Sequence, residues 1–174
     1  MATKLSIALS AGLLIAAVAP PVQADPVVVA EEHGITCSLT GEAKLKPGLN
    51  MDDGEYKVTF TGELSDCLAT GDASSGTVKA KAVGSGTCGH NTTEGVAMIK
   101  WDNKTKTIVD FSTEGAGATV LLTATVTKSN ESSLVEGDDA FGLLVFQADP
   151  TACESDAGVT EAGFNGQVGG GSPQ

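Results

Sequence analysis

The sequence predicts an all-β protein, a two-layer antiparallel β-sandwich of the immunoglobulin-like kind with about seven or eight strands. Apolar side chains recur at every second position through most of the chain, as in strands with one packed face and one solvated face. Glycines interrupt this alternation at frequent intervals, and no segment has a convincing helical period. A closed β-barrel is the alternative arrangement of the same strands.

The first three strands are predicted from this alternation. One face of the first strand carries Ile35, Cys37, Leu39, Gly41, Ala43 and Leu45. The second strand has Val58, Phe60 and Leu64 in phase, and the third has Val78, Ala80 and Ala82. We expect these side chains to form part of the core.

A hairpin is predicted around the turn Asn103-Lys104-Thr105. Pairing Trp101 with Thr107 would place all the apolar candidates on one face, because Ile99 would then face Val109 and Ala97 would face Phe111. This phase predicts that Trp101 belongs to the core rather than to an exposed sugar-binding platform.

The remaining strands follow in order. Residues 119–128 place Val120, Leu122, Ala124 and Val126 inward and threonines outward. Residues 129–139 are predicted to be a polar loop. Residues 141–148 are apolar on both faces and therefore predict a central strand, which Pro150 ends. Residues 159–168 predict a last, weaker strand with Ala162 and Phe164 on one face.

The N-terminus has the pattern of an export signal. Lys4 is followed by an apolar run without charge, and Val22-Gln23-Ala24 offers a cleavage site after Ala24. We therefore predict a cleaved signal peptide over residues 1–24, an N-terminal arm over 25–34, the β-sandwich domain over 35–168 and a flexible tail over 169–174. The apolar run is shorter than the roughly 20 residues that span a bilayer, so no membrane span is expected after cleavage.

Four cysteines follow the predicted cleavage site, which indicates two disulfides in an oxidising compartment. No C-x-x-C pair is present, so a zinc site is not indicated. One pairing joins Cys37 to Cys67 and Cys88 to Cys153. It has a parity problem, because Cys67 is out of phase with the apolar face of its own strand. The other pairing, Cys37 with Cys88 and Cys67 with Cys153, stays open.

Charge argues against two classes of partner. Without the signal peptide the chain has nine lysines and no arginine against 22 acidic residues, a net charge of −13. Binding to nucleic acids and to anionic lipids depends on clustered lysine and arginine, so neither is expected. An acidic surface is typical of a soluble exported protein.

No catalytic, cofactor-binding or metal-binding residues are predicted. The two histidines, His33 and His90, adjoin no nucleophile motif, and a hydrolase would require one of them close to a serine or a carboxylate in a cleft. The acidic segments 52–55 and 136–139 are interpreted as solvated turns rather than calcium loops. Tyr56, which follows the first of them, is a candidate for an exposed aromatic ring, although one ring is a poor sugar-binding platform.

Short motifs rich in Gly, Thr and Cys carry a resemblance. They are Cys37-Ser38-Leu39-Thr40-Gly41, Thr59-Phe60-Thr61-Gly62-Glu63-Leu64-Ser65-Asp66-Cys67, Gly84-Ser85-Gly86-Thr87-Cys88, Ile99-Lys100-Trp101-Asp102-Asn103 and, after Cys153, Gly158-Val159-Thr160-Glu161-Ala162-Gly163-Phe164-Asn165-Gly166. In this order they resemble small exported β-domain proteins of actinobacteria, over nearly the whole mature chain. The resemblance implies export, a β fold and disulfides, and it carries over no active site.

The sequence therefore predicts a secreted, non-enzymatic domain that binds an unknown extracellular or envelope partner through loops such as residues 129–139. One alternative is a secreted protein that binds a small ligand or calcium. A concave apolar pocket with convergent polar groups would favour the small ligand. The other alternative is a hydrolase with an unrecognised site.

Overall fold

The computed structural model describes residues 33–172 of the chain, which form eight strands and one short 3-10 helix, η1. The strands are β1 (Gly34–Leu49), β2 (Gly54–Ala69), β3 (Gly76–Gly86), β4 (His90–Trp101), β5 (Lys106–Ala116), β6 (Thr119–Ser129), β7 (Asp139–Gln147) and β8 (Val159–Gly171), with η1 (Pro150–Glu154) between the last two. The predicted signal peptide and most of the predicted arm lie outside the described residues.

Each strand pairs antiparallel with the next, and β8 pairs with β1 to close the ring. The all-β class, the antiparallel strands and the two disulfides are confirmed. The pairing is that of the barrel alternative, since the two sheets of a sandwich would each leave two strand edges unpaired. Alternation along single strands is the same in both arrangements, which is why the sequence predicted the sandwich and could give the barrel only as the alternative.

The inward faces of the strands are those that the alternation predicts. Trp101 is buried, and the inward residues of β1, β2, β5 and β6 are buried or half-buried. Four phenylalanine rings meet inside the barrel around Phe60, whose ring centre lies 6.1 Å from those of Phe111 and Phe164 and 6.5 Å from that of Phe146. These edge-to-face contacts join β2, β5, β7 and β8 inside the barrel.

The central hairpin has a different register from the predicted one. Ile99 pairs with Thr107 and Ala97 pairs with Val109, so the predicted pairing of Trp101 with Thr107 is wrong. The turn is tighter, because Trp101 N–H donates to Thr105 O at 3.0 Å and leaves three residues between them. Every predicted inward residue keeps its face, because the shift preserves the two-residue period.

Two predictions near the C-terminus are corrected. Strand β7 is apolar on both faces, but its outer residues Phe141, Leu143 and Val145 are exposed, because a barrel wall has only one dry face. Strand β8 continues to Gly171, where the sequence predicted a tail from residue 169. Gly169 and Gly170 pair with β1 on one side and β7 on the other.

The disulfides are Cys37–Cys67 and Cys88–Cys153, the first of the two pairings. The parity problem is solved by a β-bulge, since the pairing steps from Thr36↔Leu68 to Ser38↔Ser65 and places an extra residue in β2. Asp66 takes a left-handed conformation with φ 51° there. The extra residue turns Cys67 toward Cys37.

Within residues 33–172, no helix is both long enough and apolar enough to cross a membrane.

Candidate ligand cavity

The barrel encloses a cavity of about 430 Å³. Its walls are the inward side chains of all eight strands, most of them Val, Leu, Ala, Ile and Phe. We call the two ends of the barrel the base and the mouth. The base carries the connections 70–75, 102–105 and 130–138, and the mouth carries the connections 50–53, 87–89, 117–118 and 148–158.

The connection 130–138 closes the base. Ser133 is fully buried, and its Oγ accepts a hydrogen bond of 2.8 Å from Gly71 N–H in the connection 70–75. Leu134 is buried beside it and lines the cavity. This segment was predicted to be a polar loop available for binding. It is instead packed into the end of the barrel.

A buried carboxylate joins two of the connections at the base. Glu131 is 3 % exposed, and its Oε2 accepts hydrogen bonds of 2.6 Å from Asn103 Nδ2 and from Thr105 Oγ1. Its Oε1 accepts a longer bond from Ser133 N–H. Burial alone would raise the pKa of Glu131, but these bonds outweigh burial and hold the pKa below its ordinary value. Glu131 is therefore held as a charged acceptor between two turns.

The mouth is built differently. The connection 148–158 leaves β7, passes through η1 and returns to β8. Cys153 of this connection is bonded to Cys88, between β3 and β4, which are about half the barrel's circumference away from β7 and β8. Cys88 N–H donates to Asn50 O at 2.7 Å, which joins a third mouth connection to the other two. A covalent strap therefore spans the mouth.

Polar side chains meet on the cavity wall near the mouth. Tyr56 Oη and Thr93 Oγ1 lie 2.8 Å apart, and Thr93 faces Thr113 across β4 and β5. Thr93 and Thr113 are 4 % and 7 % exposed, and both line the cavity. The Thr113 side chain forms no hydrogen bond with another described residue. The Thr113 hydroxyl is therefore available to form a hydrogen bond with a ligand in the cavity.

Tyr56, the candidate for an exposed aromatic ring, is buried. Its ring lies over Gly84 of β3, where an added Cβ would stand 2.5 Å from Tyr56 Cζ. Only glycine leaves room for the ring at this position. Burial raises the pKa of Tyr56, and the hydrogen bond with Thr93 opposes this rise.

Charged side chains are nearly absent from the cavity wall. Among its described lining residues, Asp149 is the one carboxylate, and no lysine or histidine is present. Asp149 is exposed at the mouth, where Thr151 Oγ1 and N–H donate to Oδ1 and lower the pKa of its carboxyl.

The histidines are placed away from the cavity. Ser172 Oγ lies 2.9 Å from His33 Nε2 and 3.2 Å from Asp138 Oδ1, and Asp138 Oδ2 lies 3.5 Å from the same ring nitrogen. In a catalytic relay the serine and the carboxylate bond to opposite ring nitrogens. Here both approach Nε2, so the cluster ties the two ends of the described chain to residue 138. His90 is exposed at the start of β4.

Of the two acidic segments interpreted as solvated turns, residues 52–55 are exposed, whereas Asp138 in segment 136–139 is buried, which corrects the prediction there. Asp52 N–H donates to Asn50 Oδ1, and Asp138 Oδ2 accepts a bond of 2.8 Å from Val135 N–H. Among the described residues, no group of three or more His, Cys, Asp or Glu side chains is arranged to hold a metal ion.

The outer wall carries one exposed group of large apolar side chains, which we call the apolar strip. It consists of Leu121 on β6 and Phe141, Leu143 and Val145 on β7, and Leu121 pairs directly with Leu143. The outward positions beside it are threonines on β6 and Asn165 and Gln167 on β8. The strip is therefore bordered by uncharged polar residues on β8 and by the exposed carboxylate Glu114 of β5, which pairs with Leu121.

Sequence reasoning missed the polar group at the mouth. A signal was present, because Thr93 and Thr113 continue the inward phase of the central hairpin, where apolar residues are expected. The burial of Tyr56 depends on Gly84, and this pair becomes visible only with the register of β2 and β3.

Comparison with protein-family models, with curated proteins and with solved structures finds no match for this chain.

Proposed function

We propose that this chain is an exported, non-catalytic binding protein that holds one small apolar molecule inside its barrel. The cavity of about 430 Å³ is the observation that supports this most strongly. Eight-stranded barrels are wide enough to hold one small ligand, and ligand pockets are mostly apolar with a few placed polar groups. The cavity wall has this composition.

The volume sets the size of the ligand. An apolar cavity of about 150 Å³ holds benzene, so this cavity has room for a molecule roughly three times as large, with about 15–20 non-hydrogen atoms. N-phenyl-1-naphthylamine is uncharged and has about 17 non-hydrogen atoms, so it is a suitable probe.

Trp101 provides the readout. It is the only tryptophan of the chain, and it lines the cavity at the base. We expect the probe to bind with one-to-one stoichiometry, to gain fluorescence and to quench Trp101 by energy transfer. Absence of saturable binding to the full chain, as the cell exports it, would contradict the proposal.

Two matched variants test the location of the site. Ala97 lines the cavity, and its neighbour Val96 is half-exposed on the outer wall. Ala97→Leu adds volume inside and should weaken probe binding at least tenfold, whereas Val96→Leu should leave it unchanged. If Ala97→Leu does not fold, Ala124→Val makes a smaller change to the same cavity.

A second candidate function is interaction with another macromolecule outside the cell. The apolar strip favours it, because exposed apolar groups bounded by polar residues often mark contact surfaces. Leu143→Lys should then abolish recovery of a specific partner from the cell envelope, and Val83→Lys, an equally exposed change on β3, should not. Equal recovery with both variants would exclude the strip.

A further inference from the structure

We infer that the cavity selects an uncharged ligand with one hydrogen-bonding group, held near the mouth by Thr113, and that it rejects anions such as fatty carboxylates. This inference rests on the proposed binding function and names the class of its ligand.

The first argument is the charge of the wall. A buried carboxylate or sulfonate needs a cation or several hydrogen-bond donors, because transfer of an unpaired charge from water is very unfavourable. The described lining contains no lysine, arginine or histidine to provide such a partner. The chain outside the signal peptide has a net charge of −13, which adds repulsion at longer range.

The second argument is the unused hydroxyl of Thr113. Its residue is 93 % buried, it lines the cavity, and its side chain forms no hydrogen bond with another described residue. Among the described residues, no fully buried side-chain oxygen or nitrogen lacks a partner, so the Thr113 hydroxyl is open to the cavity rather than enclosed by protein atoms. A hydroxyl, carbonyl or amine of the ligand would form a hydrogen bond with the Thr113 hydroxyl. The Tyr56–Thr93 pair lies beside Thr113 and offers a further acceptor.

The third argument is the polarity of the cavity along its length. Thr93 and Thr113 lie near the mouth ends of β4 and β5, and Trp101 lies at the base end of β4. The eight residue steps from Thr93 to Trp101 span roughly 26 Å of strand. The wall between them is apolar. A ligand would therefore enter with its apolar part toward the base and its polar group at Thr113.

The test compares ligands that differ mainly in charge. 8-Anilino-1-naphthalenesulfonate shares the phenylnaphthylamine framework of the uncharged probe and adds a sulfonate. We expect it to bind roughly a hundredfold more weakly, and to remain weak in 1 M salt, because high salt screens long-range repulsion but not the burial of charge. Tight binding of both probes would overturn the uncharged-ligand inference and leave the binding function intact. Binding of neither probe would contradict both.

The two fluorescent probes differ in shape as well as in charge, so a second pair of ligands with nearly identical shapes is needed. 1-Decanol and decanoic acid are to be compared as competitors of the uncharged probe between pH 6 and pH 8. If only the protonated acid binds, its apparent affinity should fall about tenfold for each unit of rising pH, whereas that of decanol stays constant. A decanoate affinity independent of pH would overturn the inference.

The role of Thr113 is tested with Thr113→Val, which removes the hydroxyl and keeps the shape. Decanol should bind about three- to tenfold more weakly, because one hydrogen bond is lost, and undecane should bind equally well to both proteins. The control Thr92→Val changes an exposed threonine on the outer face of β4. Loss of decanol and undecane affinity in equal measure would mean that Thr113 only shapes the cavity.

Discussion

The two ends of the barrel are closed by different chemistry. At the base, the connection 130–138 is packed inside and held by hydrogen bonds to Glu131, a buried carboxylate. At the mouth, the connection 148–158 crosses the opening and is held by the Cys88–Cys153 disulfide. We therefore expect the stability of the base to depend on pH and that of the mouth to depend on the redox state.

The disulfides show the same contrast. Cys37–Cys67 joins β1 to β2, two strands that are already hydrogen-bonded to each other. Cys88–Cys153 joins segments that lie on opposite sides of the ring. The first reinforces the wall, whereas the second fixes a strap over the opening. We therefore expect ligands to enter through the mouth, and four changes test this comparison.

The largest effect is expected from the double variant Cys88→Ser and Cys153→Ser. It opens a loop of 65 residues and should lower the free energy of unfolding by about 4 kcal/mol in the chain-entropy model. Because the strap is released, the uncharged probe should also dissociate faster, which stopped-flow fluorescence measures.

The control is Cys37→Ala with Cys67→Ala. It should cost a similar free energy, about 3.5 kcal/mol for a loop of 30 residues, and leave the dissociation rate of the probe unchanged. Equal acceleration in both double variants would mean that the strap does not control entry.

The next effect concerns the base. Glu131→Gln replaces an oxygen that accepts hydrogen bonds with an amide group, so at least one donor among Asn103, Thr105 and Ser133 loses its partner. We expect a loss of about 1–3 kcal/mol at pH 7 in chemical denaturation. Glu136→Gln, on the exposed part of the same connection, should change stability by less than about 0.5 kcal/mol.

The pKa of Glu131 determines the direction in which the effect of Glu131→Gln on stability changes with pH. The pKa of Glu131 is lower in the folded protein than in the unfolded chain, so its stabilisation is present above the unfolded value and is lost as pH falls through the folded value. The difference between the native protein and Glu131→Gln should therefore shrink in acid. A difference that is constant down to strongly acidic pH would show that charge on Glu131 is not what holds the base.

The sequence predicted the wall of the barrel better than its ends. Alternation placed residues such as Leu39, Val58 and Val126 correctly, because the two-residue period follows from the backbone of a strand alone. It favoured a sandwich and kept the barrel as the alternative, since the choice depends on whether β8 pairs with β1, more than 100 residues earlier in the chain.

The structure of the two ends of the barrel was not predicted, because it depends on contacts between different connections. Glu131 and Ser133 look like ordinary polar loop residues, and their burial depends on donors from two other connections. Cys67 looked out of phase because one extra residue in a bulge is invisible to a simple period. Phe141 looked buried because apolar character was equated with burial.

The third change alters the barrel wall near the mouth, at Gly84 beside Tyr56. Gly84→Ala would place a Cβ 2.6 Å from both Tyr56 Oη and Thr92 O, so the ring must move. We expect a loss of about 1–2 kcal/mol. The pKa of Tyr56 should fall toward its ordinary value, because burial raises it in the native protein. Tyr56 is the only tyrosine of the chain, so ultraviolet titration of its phenol reports this pKa directly.

The control for this change is Gly54→Ala, on the same strand as Tyr56. An added Cβ at Gly54 meets no atom within 4 Å, so both stability and the pKa of Tyr56 should stay close to those of the native protein. An unchanged phenol titration in Gly84→Ala would show that Tyr56 does not depend on the space that glycine leaves.

The smallest effect belongs to the base, at the turn between β4 and β5. Lys104 is exposed and has φ 71°, a left-handed conformation that is unfavourable for a residue with a Cβ. Lys104→Gly should therefore stabilise the protein by about 0.5–1 kcal/mol in chemical denaturation. Lys106→Gly, at an exposed position two residues later in β5, should destabilise it by a similar amount, because glycine in a strand loses more conformational entropy. Opposite signs at two neighbouring lysines would place the effect in the backbone of the turn, whereas equal signs would attribute it to the loss of a positive charge from an acidic protein.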